Sequence, residues 1–316
     1  MDPQREMTND PEMPAMRNSF FLRALGALLL LAVAAAQAQT QLSVPAARSF
    51  LWEVSTITNK LYLFGTVHAG KASFYPLPAA VEKAFADSEV LAVEADVLDR
   101  ESMARSAGIM TYVSPDRLDK HVSPELYKRF QKQLGRYGLP ESQIAQLKPF
   151  MASAMIVFAE WGRLGFSAQS GVEVNLLNRA KLAGMPVVEL EGIAIQAALM
   201  ESLSDKENME AFEGTLAALE SGLTSELITG VVNAWEAGDP DRMLEIARKY
   251  NDGVPGAKEF EEKFIWSRHD SMAKKIEGLI NESSRRHFVA VGALHLCGPK
   301  GLVEMLRKRG YRVRQL

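Results

Sequence analysis

Two histidines, each closing a short glycine-led tetrad, are the residues whose type and spacing point to chemistry. The tetrad GTVH ends at His68 and the tetrad GALH ends at His295. Each follows an apolar run that is typical of a buried strand. Imidazole binds divalent transition metals and also transfers protons in acid–base catalysis. The residues alone leave two equal alternatives, which are one shared functional site or two separate structural histidines.

A carboxylate occupies the same topological position as these histidines. Glu94 follows the apolar run 90–93, and ligands of open α/β sheets bind beyond the carboxyl ends of the strands. Two histidines and a carboxylate can hold one metal ion with open positions for water. The carboxylate can instead be the base that activates water. A structural role, as a helix cap or a lysine partner, is the alternative for Glu94.

Further polar side chains are predicted to line the same place. Glu191 follows another apolar run, Gln196 lies on the next predicted helix, and Glu173 opens a helix of its own. We predict that these three bind substrate, although Glu173 can equally serve only to complement its helix dipole. Arg268 follows Trp266 on a predicted helix, where a guanidinium can clamp a carboxylate or an oxyanion. A surface role for Arg268 is favoured on composition alone.

Two other candidates for a metal or catalytic role are set aside. His287 opens the run 286–291, whereas His295 lies beyond the end of the same run, so the two are expected at opposite edges of the sheet. Cys297 is the one cysteine of the chain and lies two residues after His295. A ligand role is conceivable for it, but a small buried hydrophobe is the favoured interpretation.

These side chains need a sheet to bring them together. Apolar and β-branched runs predict strands at 50–55, 60–65, 90–94, 186–190, 286–291 and 311–313, the first two forming a hairpin. Helical spacing dominates the middle of the chain, including one continuous helix from Ala257 to about Asn281. We expect one α/β domain over 39–316. Its central mixed sheet comes from the N- and C-terminal parts, and a helical subdomain is inserted at about 115–285.

Composition excludes some classes of protein. The chain has 316 residues, 47% of them hydrophobic, and a net charge of −3, which is globular composition without a basic face for nucleic acid. A single cysteine allows no intramolecular disulfide.

The N-terminal segment predicts export. Residues 1–38 are predicted to be a signal peptide, because Arg17 and Arg23 precede the apolar stretch 24–36 and a small-x-small site follows it. Met16 is an alternative start. The stretch is short for a membrane anchor, so we expect a cleaved, periplasmic or secreted protein without a membrane span.

Several of these segments together resemble the TraB/GumN family. They are the GTVH tetrad, Glu94 after LAV, the run 171–192 with Gln196 after it, WEAGD at 235–239, Arg268 within SRHDSMAKKI, and the run 291–313 that contains GALH. The resemblance extends from about Phe50 to the C-terminus. Each motif is weak by itself, and their order along the chain is the specific feature.

The resemblance implies a fold and a chemistry. The family is similar to the TIKI metalloproteases of animals, and more distantly to erythromycin esterases and haem-binding ChaN proteins, which implies an EreA/ChaN-like α/β fold. It implies that paired GxxH motifs, a glutamate and an arginine line one cleft, with manganese- or cobalt-dependent peptide hydrolysis in the TIKI branch. By motif match, His68 and His295 are the metal ligands, and Glu94 and Arg268 are catalytic.

The chain departs from the family pattern at two positions. Glu173 stands where the family usually has aspartate, which keeps the charge on a longer arm. His269 follows Arg268 where the family usually has asparagine, which puts a titratable or metal-binding group beside the arginine.

The sequence therefore predicts an exported hydrolase that depends on a divalent metal, namely manganese, cobalt or zinc. A peptidase is the favoured interpretation, and the peptide or small-molecule substrate is not identified. The alternative is a non-catalytic protein of the cell envelope that binds haem, metal or peptide. Sequence does not separate the two, because a haem ligand and a zinc ligand have the same signature.

Overall fold

A computed structural model describes residues 48–251, 257–282 and 285–316 of the chain. Within those ranges, the chain from Arg48 to Leu316 forms one compact unit. The predicted signal peptide at 1–38 lies outside the described residues.

A six-stranded mixed sheet organises the described chain. Its strands are β1 (Leu51–Ser55), β2 (Lys60–Thr66), β3 (Val90–Val93), β4 (Val187–Glu189), β5 (His287–Gly292) and β6 (Arg312–Gln315). Their order across the sheet is β4-β3-β5-β2-β1-β6. The predicted hairpin is confirmed, since β1 pairs antiparallel with β2 and Leu51 lies opposite Phe64.

Four neighbouring strands run parallel, and this positions the site. β2 pairs parallel with β5, β5 with β3, and β3 with β4. In the register, Thr66 lies opposite Gly292 and Val93 lies opposite Glu189, so the four strands end together. Side chains that follow these strands therefore share one edge of the sheet. All four residues of β3 are buried, as expected for a strand covered on both faces.

Helices fill the connections. Those before β4 are α1 (Ala79–Ala86), α2 (Arg100–Ala107), α3 (Pro124–Tyr137), α4 (Pro149–Arg163) and α5 (Val172–Ala183). Those between β4 and β5 are α6 (Ile193–Glu201), α7 (Asp205–Ser221), α8 (Leu223–Glu236), α9 (Pro240–Asn251), α10 (Ala257–Phe264) and α11 (His269–Glu282). The last is α12 (Leu302–Lys308).

Local sequence signals set several helix ends. The Ser123 side chain accepts a hydrogen bond from the Leu126 N–H, and proline follows at the first position of α3. Ser204 and Glu207 form a capping box at the start of α7. Gly184 ends α5 with φ at 65°, a left-handed conformation that favours glycine.

The prediction of one continuous helix from 257 to about 281 is wrong. α10 ends at Phe264, a single 3₁₀ turn covers Trp266–Arg268, and α11 begins at His269. The break turns Arg268 toward buried carboxylates, and its Nη1 also donates to the Phe264 carbonyl at 2.9 Å. Tertiary ion pairing has overridden the helical spacing of the sequence.

Two apolar clusters stabilise the molecule. The larger packs on the sheet and includes Phe64, Phe288 and Leu176. The smaller lies among helices α3, α4 and α7, with Phe130 and Phe212 at 5.2 Å between ring centroids. β4 falls within the span 115–285 and joins the sheet, so that span is not helical throughout. None of the helices in the described ranges is long and apolar enough to cross a membrane.

Candidate active site

Three candidate site residues converge on the place where Gly292 lacks a side chain. A Cβ added at Gly292 would lie 3.3 Å from Glu94 Oε1, 3.5 Å from His295 Cδ2 and 3.9 Å from His68 Nε2. Glu94, His68 and His295 follow three neighbouring parallel strands, β3, β2 and β5. The sheet register therefore brings both tetrads and the glutamate to one small space, and glycine keeps that space open.

Glu94 is a buried carboxylate with a full set of donors. Its Oε1 accepts from the Gly292 N–H at 2.6 Å, and its Oε2 accepts from Arg268 Nη2 at 2.5 Å and from Gln196 Nε2 at 3.3 Å. Burial by itself would raise the pKa of Glu94, but His295, Arg268 and the Gly292 N–H hold it well below the usual range. The carboxylate is therefore ionised.

Arg268 uses all five of its N–H donors within the protein. Its Nε donates to Glu191 Oε1 at 3.0 Å, and Nη2 bonds both Glu94 and Glu191. Its Nη1 donates to the Phe264 carbonyl and faces His295 Nε2 at 3.3 Å. Burial opposes the charge, but Glu191 and Glu94 raise the pKa of Arg268. A substrate can reach this guanidinium only in exchange for one of these partners.

His295 is buried and belongs to a chain of imidazoles. Its Nδ1 lies 2.8 Å from Nε2 of His269, whose own Nδ1 lies 2.7 Å from the Lys300 carbonyl. Its Nε2 lies 3.6 Å from Glu94 Oε2. Burial, followed by repulsion from His295, lowers the pKa of His269 to about 4, so the His269 ring is neutral at physiological pH.

His68 has the opposite setting. Its side chain is 65% exposed, and its Nδ1 lies 2.7 Å from Glu173 Oε2. The Glu173 carboxylate raises the pKa of His68 to about 9, which makes its ring a cation at neutral pH. Gly171, just ahead of Glu173, packs closely here, since a Cβ on it would lie 2.3 Å from the His68 carbonyl oxygen.

The predicted site residues thus fall into two neighbouring groups. Glu94, Arg268, His295, Glu191 and Gln196 are joined by hydrogen bonds and ion pairs in the buried to half-buried group. The exposed His68 and the half-buried Glu173 form the other group. In this arrangement Glu191 pairs with Arg268, and Glu173 pairs with His68.

The two residues set aside from the sequence lie as expected. His287 is buried at the start of β5, opposite Val90, at the other edge of the sheet from His295. Cys297 is fully buried and its Sγ donates to the Ala293 carbonyl at 3.3 Å. Burial raises the pKa of the Cys297 thiol to about 12, which suits an inert core residue.

The arrangement does not fit a metal ion as it stands. Within the described ranges, no group of three histidine, cysteine, aspartate or glutamate side chains converges in a way that could hold one. His295 turns its Nε2 to the Arg268 guanidinium and offers a carbon, Cδ2, to the space above Gly292. The guanidinium already bridges Glu94 and His295, so a metal bound to these two side chains would have to displace it.

Comparison with known proteins identifies the family. The model of the TraB/PrgY/gumN family matches residues 50–315. The chain belongs to this family. No solved structure matches the chain significantly.

Curated relatives of this family member include bacterial and animal proteins. The uncharacterized protein YbaP of Escherichia coli strain K12 is 26% identical over 269 residues, covering 82% of this chain and 93% of YbaP. Metalloprotease TIKI1 of Danio rerio is 22% identical over 310 residues, covering 84% of this chain and 62% of TIKI1. Metalloprotease TIKI2 of Xenopus tropicalis is 22% identical over 314 residues, with 84% of this chain and 59% of TIKI2 covered.

Sequence reasoning gave His269 no role, yet the structure places it directly on His295. Its position beside Arg268, where the family resemblance expects asparagine, was the only available signal. Because Arg268 and His269 lie at the junction of a 3₁₀ turn and α11, they face two sides of the same cluster. A continuous helix would have given no reason to join His269 to the second tetrad.

Proposed function

We propose that this protein is an exported hydrolase that cleaves peptides, with the cluster around Gly292 as its reacting centre. The observation that carries the proposal is the convergence of His68, His295 and the ionised Glu94 on the space that Gly292 leaves open. A small space bounded by an exposed protonated imidazole, a buried imidazole and a carboxylate suits acid–base attack of water on an acyl group.

The two histidines divide the proton transfers. For His295 Nε2 to take the proton of the attacking water, the water replaces Arg268 Nη1 at this nitrogen. The Glu94 carboxylate at 3.6 Å then stabilises the imidazolium that forms. His68, which Glu173 keeps protonated, gives a proton to the leaving group from the solvent side of the space. Environments that push two similar groups toward opposite protonation states are the usual basis of such a division.

Arg268 and Gln196 hold the carboxylate in place. Arg268 joins Glu94 to Glu191, since one guanidinium pairs with both carboxylates. Gln196 adds a donor to Glu94 Oε2 from α6. Fixed partners keep Glu94 within reach of His295 during turnover, which electrostatic stabilisation requires.

The relatives support hydrolysis of peptides as the reaction. Three of the curated relatives are named metalloproteases, and the matched segment covers 84% of this chain in each case. Metal dependence, which the sequence predicts, would require Arg268 to give up its contacts with Glu94 and His295.

A digest of a peptide library tests the proposal. We expect the purified protein to cleave a defined subset of peptides, and Glu94→Gln to lower kcat/KM by about 10²- to 10⁴-fold. Glu82→Gln is the matched control, because Glu82 also accepts from an arginine, Arg179, and from a backbone N–H, that of Leu77, away from the site. Cleavage that Glu94→Gln leaves intact would contradict the proposal.

The same samples distinguish the rival function. Metal analysis and repetition of the digest with chelator report whether a bound metal contributes. A non-catalytic haem-binding protein would instead show a visible absorbance band on haem addition, lost in His68→Gln, and no turnover of any peptide.

A further inference from the structure

A chain of three contacts runs from Arg268 through two histidines to a backbone carbonyl. Arg268 Nη1 faces His295 Nε2 at 3.3 Å, His295 Nδ1 faces His269 Nε2 at 2.8 Å, and His269 Nδ1 faces the Lys300 oxygen at 2.7 Å. Both rings are buried, with His269 fully inaccessible and His295 4% exposed. Their planes meet at 65°, and Trp266 packs edge-on against the His269 ring.

The chemistry of the two ends fixes every proton in this chain. A guanidinium nitrogen can only donate, so His295 Nε2 must accept and carries no proton. A carbonyl oxygen can only accept, so His269 Nδ1 must carry a proton. One proton remains for the contact between the rings.

That middle proton has only one place to reside. If it were on His269 Nε2, His269 would be a cation and His295 an imidazolate without any proton, lying beside the Glu94 carboxylate. Such a state is excluded on charge grounds, so the proton is on His295 Nδ1 and points at His269 Nε2. In the other tautomer of His295, with the proton on Nε2, neither His295 Nδ1 nor His269 Nε2 would carry a proton for the contact between the rings.

We infer that His269 is a positioning residue, whose Nε2 accepts from His295 Nδ1–H and so holds the His295 ring in the tautomer with a lone pair on Nε2. The inference rests on the proposed function for its catalytic meaning, since that lone pair is the base in hydrolysis. His269 touches no substrate in this scheme. It sets the orientation and the tautomer of His295, as do other side chains that hydrogen-bond the second ring nitrogen of a functional imidazole.

The tautomer of His295 can be read directly by nitrogen NMR of protein with ¹⁵N-labelled histidine at neutral pH. We expect wild-type His295 to show a protonated Nδ1 and an unprotonated Nε2, with its signals assigned by their loss in His295→Gln. In His269→Leu the buried Nδ1–H of His295 has no acceptor. We expect His295 to move toward the Nε2–H tautomer, in which Nε2 exchanges its contact with Arg268 Nη1 for donation to Glu94, while Nη1 keeps the Phe264 carbonyl. In His269→Gln the amide oxygen can accept, and we expect the wild-type tautomer to return.

Kinetics give the second readout. We expect His269→Leu to lower kcat about 10- to 100-fold with KM little changed, and His269→Gln to recover part of the loss. His287→Leu is the matched control, because His287 is also a buried histidine but lies at the opposite edge of the sheet. Thermal unfolding of each variant separates loss of the positioning contact from loss of the fold.

Three results would overturn the inference. They are an Nε2–H tautomer of His295 in the wild type, an unchanged tautomer in folded His269→Leu, and an equal fall of kcat in His269→Leu and His287→Leu. If the wild type hydrolyses no peptide at all, the proposed function fails, while the NMR measurement still decides whether His269 sets the tautomer.

Discussion

The two GxxH tetrads have the same spacing and the same place at a strand end, but their histidines lie in opposite environments. His68 is 65% exposed and bonds a carboxylate, whereas the side chain of His295 is 5% exposed and bonds a second imidazole. The partner therefore decides the chemistry. The Glu173 carboxylate keeps His68 protonated, whereas the neutral His269 offers its Nε2 as an acceptor to His295 Nδ1.

The glycines of the two tetrads differ in the same way. A Cβ on Gly65 would lie 2.5 Å from the Phe50 ring and 3.0 Å from Ala293 Cα, so this glycine is required by packing. A Cβ on Gly292 would meet Glu94 Oε1 and the two histidines, so this glycine is required by the site. The glycine of the first tetrad allows close packing in the core, and the glycine of the second leaves open space beside Glu94 and the two histidines.

The largest expected effect on kcat/KM comes from replacing the histidine of each tetrad in turn. We expect His295→Gln to lower kcat/KM by about 10²- to 10⁴-fold, since the proposed base is lost, and His68→Gln to lower it less, because water can replace an exposed acid. Steady-state kinetics on a cleaved peptide provide the measurement. An equal loss of kcat/KM in the two variants would contradict the assignment of different roles to His68 and His295.

A matched control exists for the exposed histidine. His121 also bonds a carboxylate, with its Nε2 2.9 Å from Asp116, and it lies in a loop away from the sheet edge. His121→Gln should leave kcat/KM at the wild-type level.

The glycine substitutions separate packing from chemistry. Gly65→Ala should lower the free energy of unfolding by about 1–3 kcal/mol, because the added methyl group overpacks Phe50 and Ala293. Gly292→Ala should cost less stability but lower kcat about tenfold, because its methyl group displaces Glu94 from its reacting position. Chemical denaturation and kinetics on both variants provide the measurements, and the reverse pattern would contradict the assignment of the two glycines.

The third prediction concerns the pH dependence of the exposed tetrad. Because Glu173 raises the pKa of His68 from 6.5 to about 9, the ion pair stabilises the fold fully below pH 6.5, and this contribution is lost as the pH rises through about 9. The difference in free energy of unfolding between wild type and Glu173→Gln should therefore shrink across that window. The alkaline fall in kcat/KM, near pH 9 in the wild type, should move to lower pH in the variant. An unmoved alkaline limb would show that another group sets it.

The smallest expected effect concerns the anchor of the first tetrad. Trp235 Nε1 donates to the Gly65 carbonyl at 2.7 Å in a buried setting. Trp235→Phe should lower the free energy of unfolding by about 1–2 kcal/mol, because the carbonyl loses its donor, while kcat stays near the wild-type value. A loss of kcat without loss of stability would place Trp235 in the chemistry of the site instead.

Much of the sheet could be predicted from local patterns. The apolar runs located every strand, with ends within a few residues, and the hairpin followed from its turn residues. The helix break at Arg268 could not be predicted, because apolar spacing continues through it while a buried guanidinium needs carboxylates that lie far away in sequence.

The candidate site was likewise predictable only where local patterns determine it. Strand ends identified Glu94, His68 and His295, but no local pattern linked His269 to His295 or Glu191 to Arg268.

The sequence by itself determined which side chains reach the edge of the sheet. Hydrophobic periodicity, turn residues and strand ends depend on neighbours along the chain, so they can be predicted from the sequence. Only the tertiary structure decided that His68 pairs with a carboxylate and that His295 is buried against a second imidazole. Protonation depends on burial and on partners that are 105 residues away for His68 and 26 for His295, and these separations leave no trace in a local pattern.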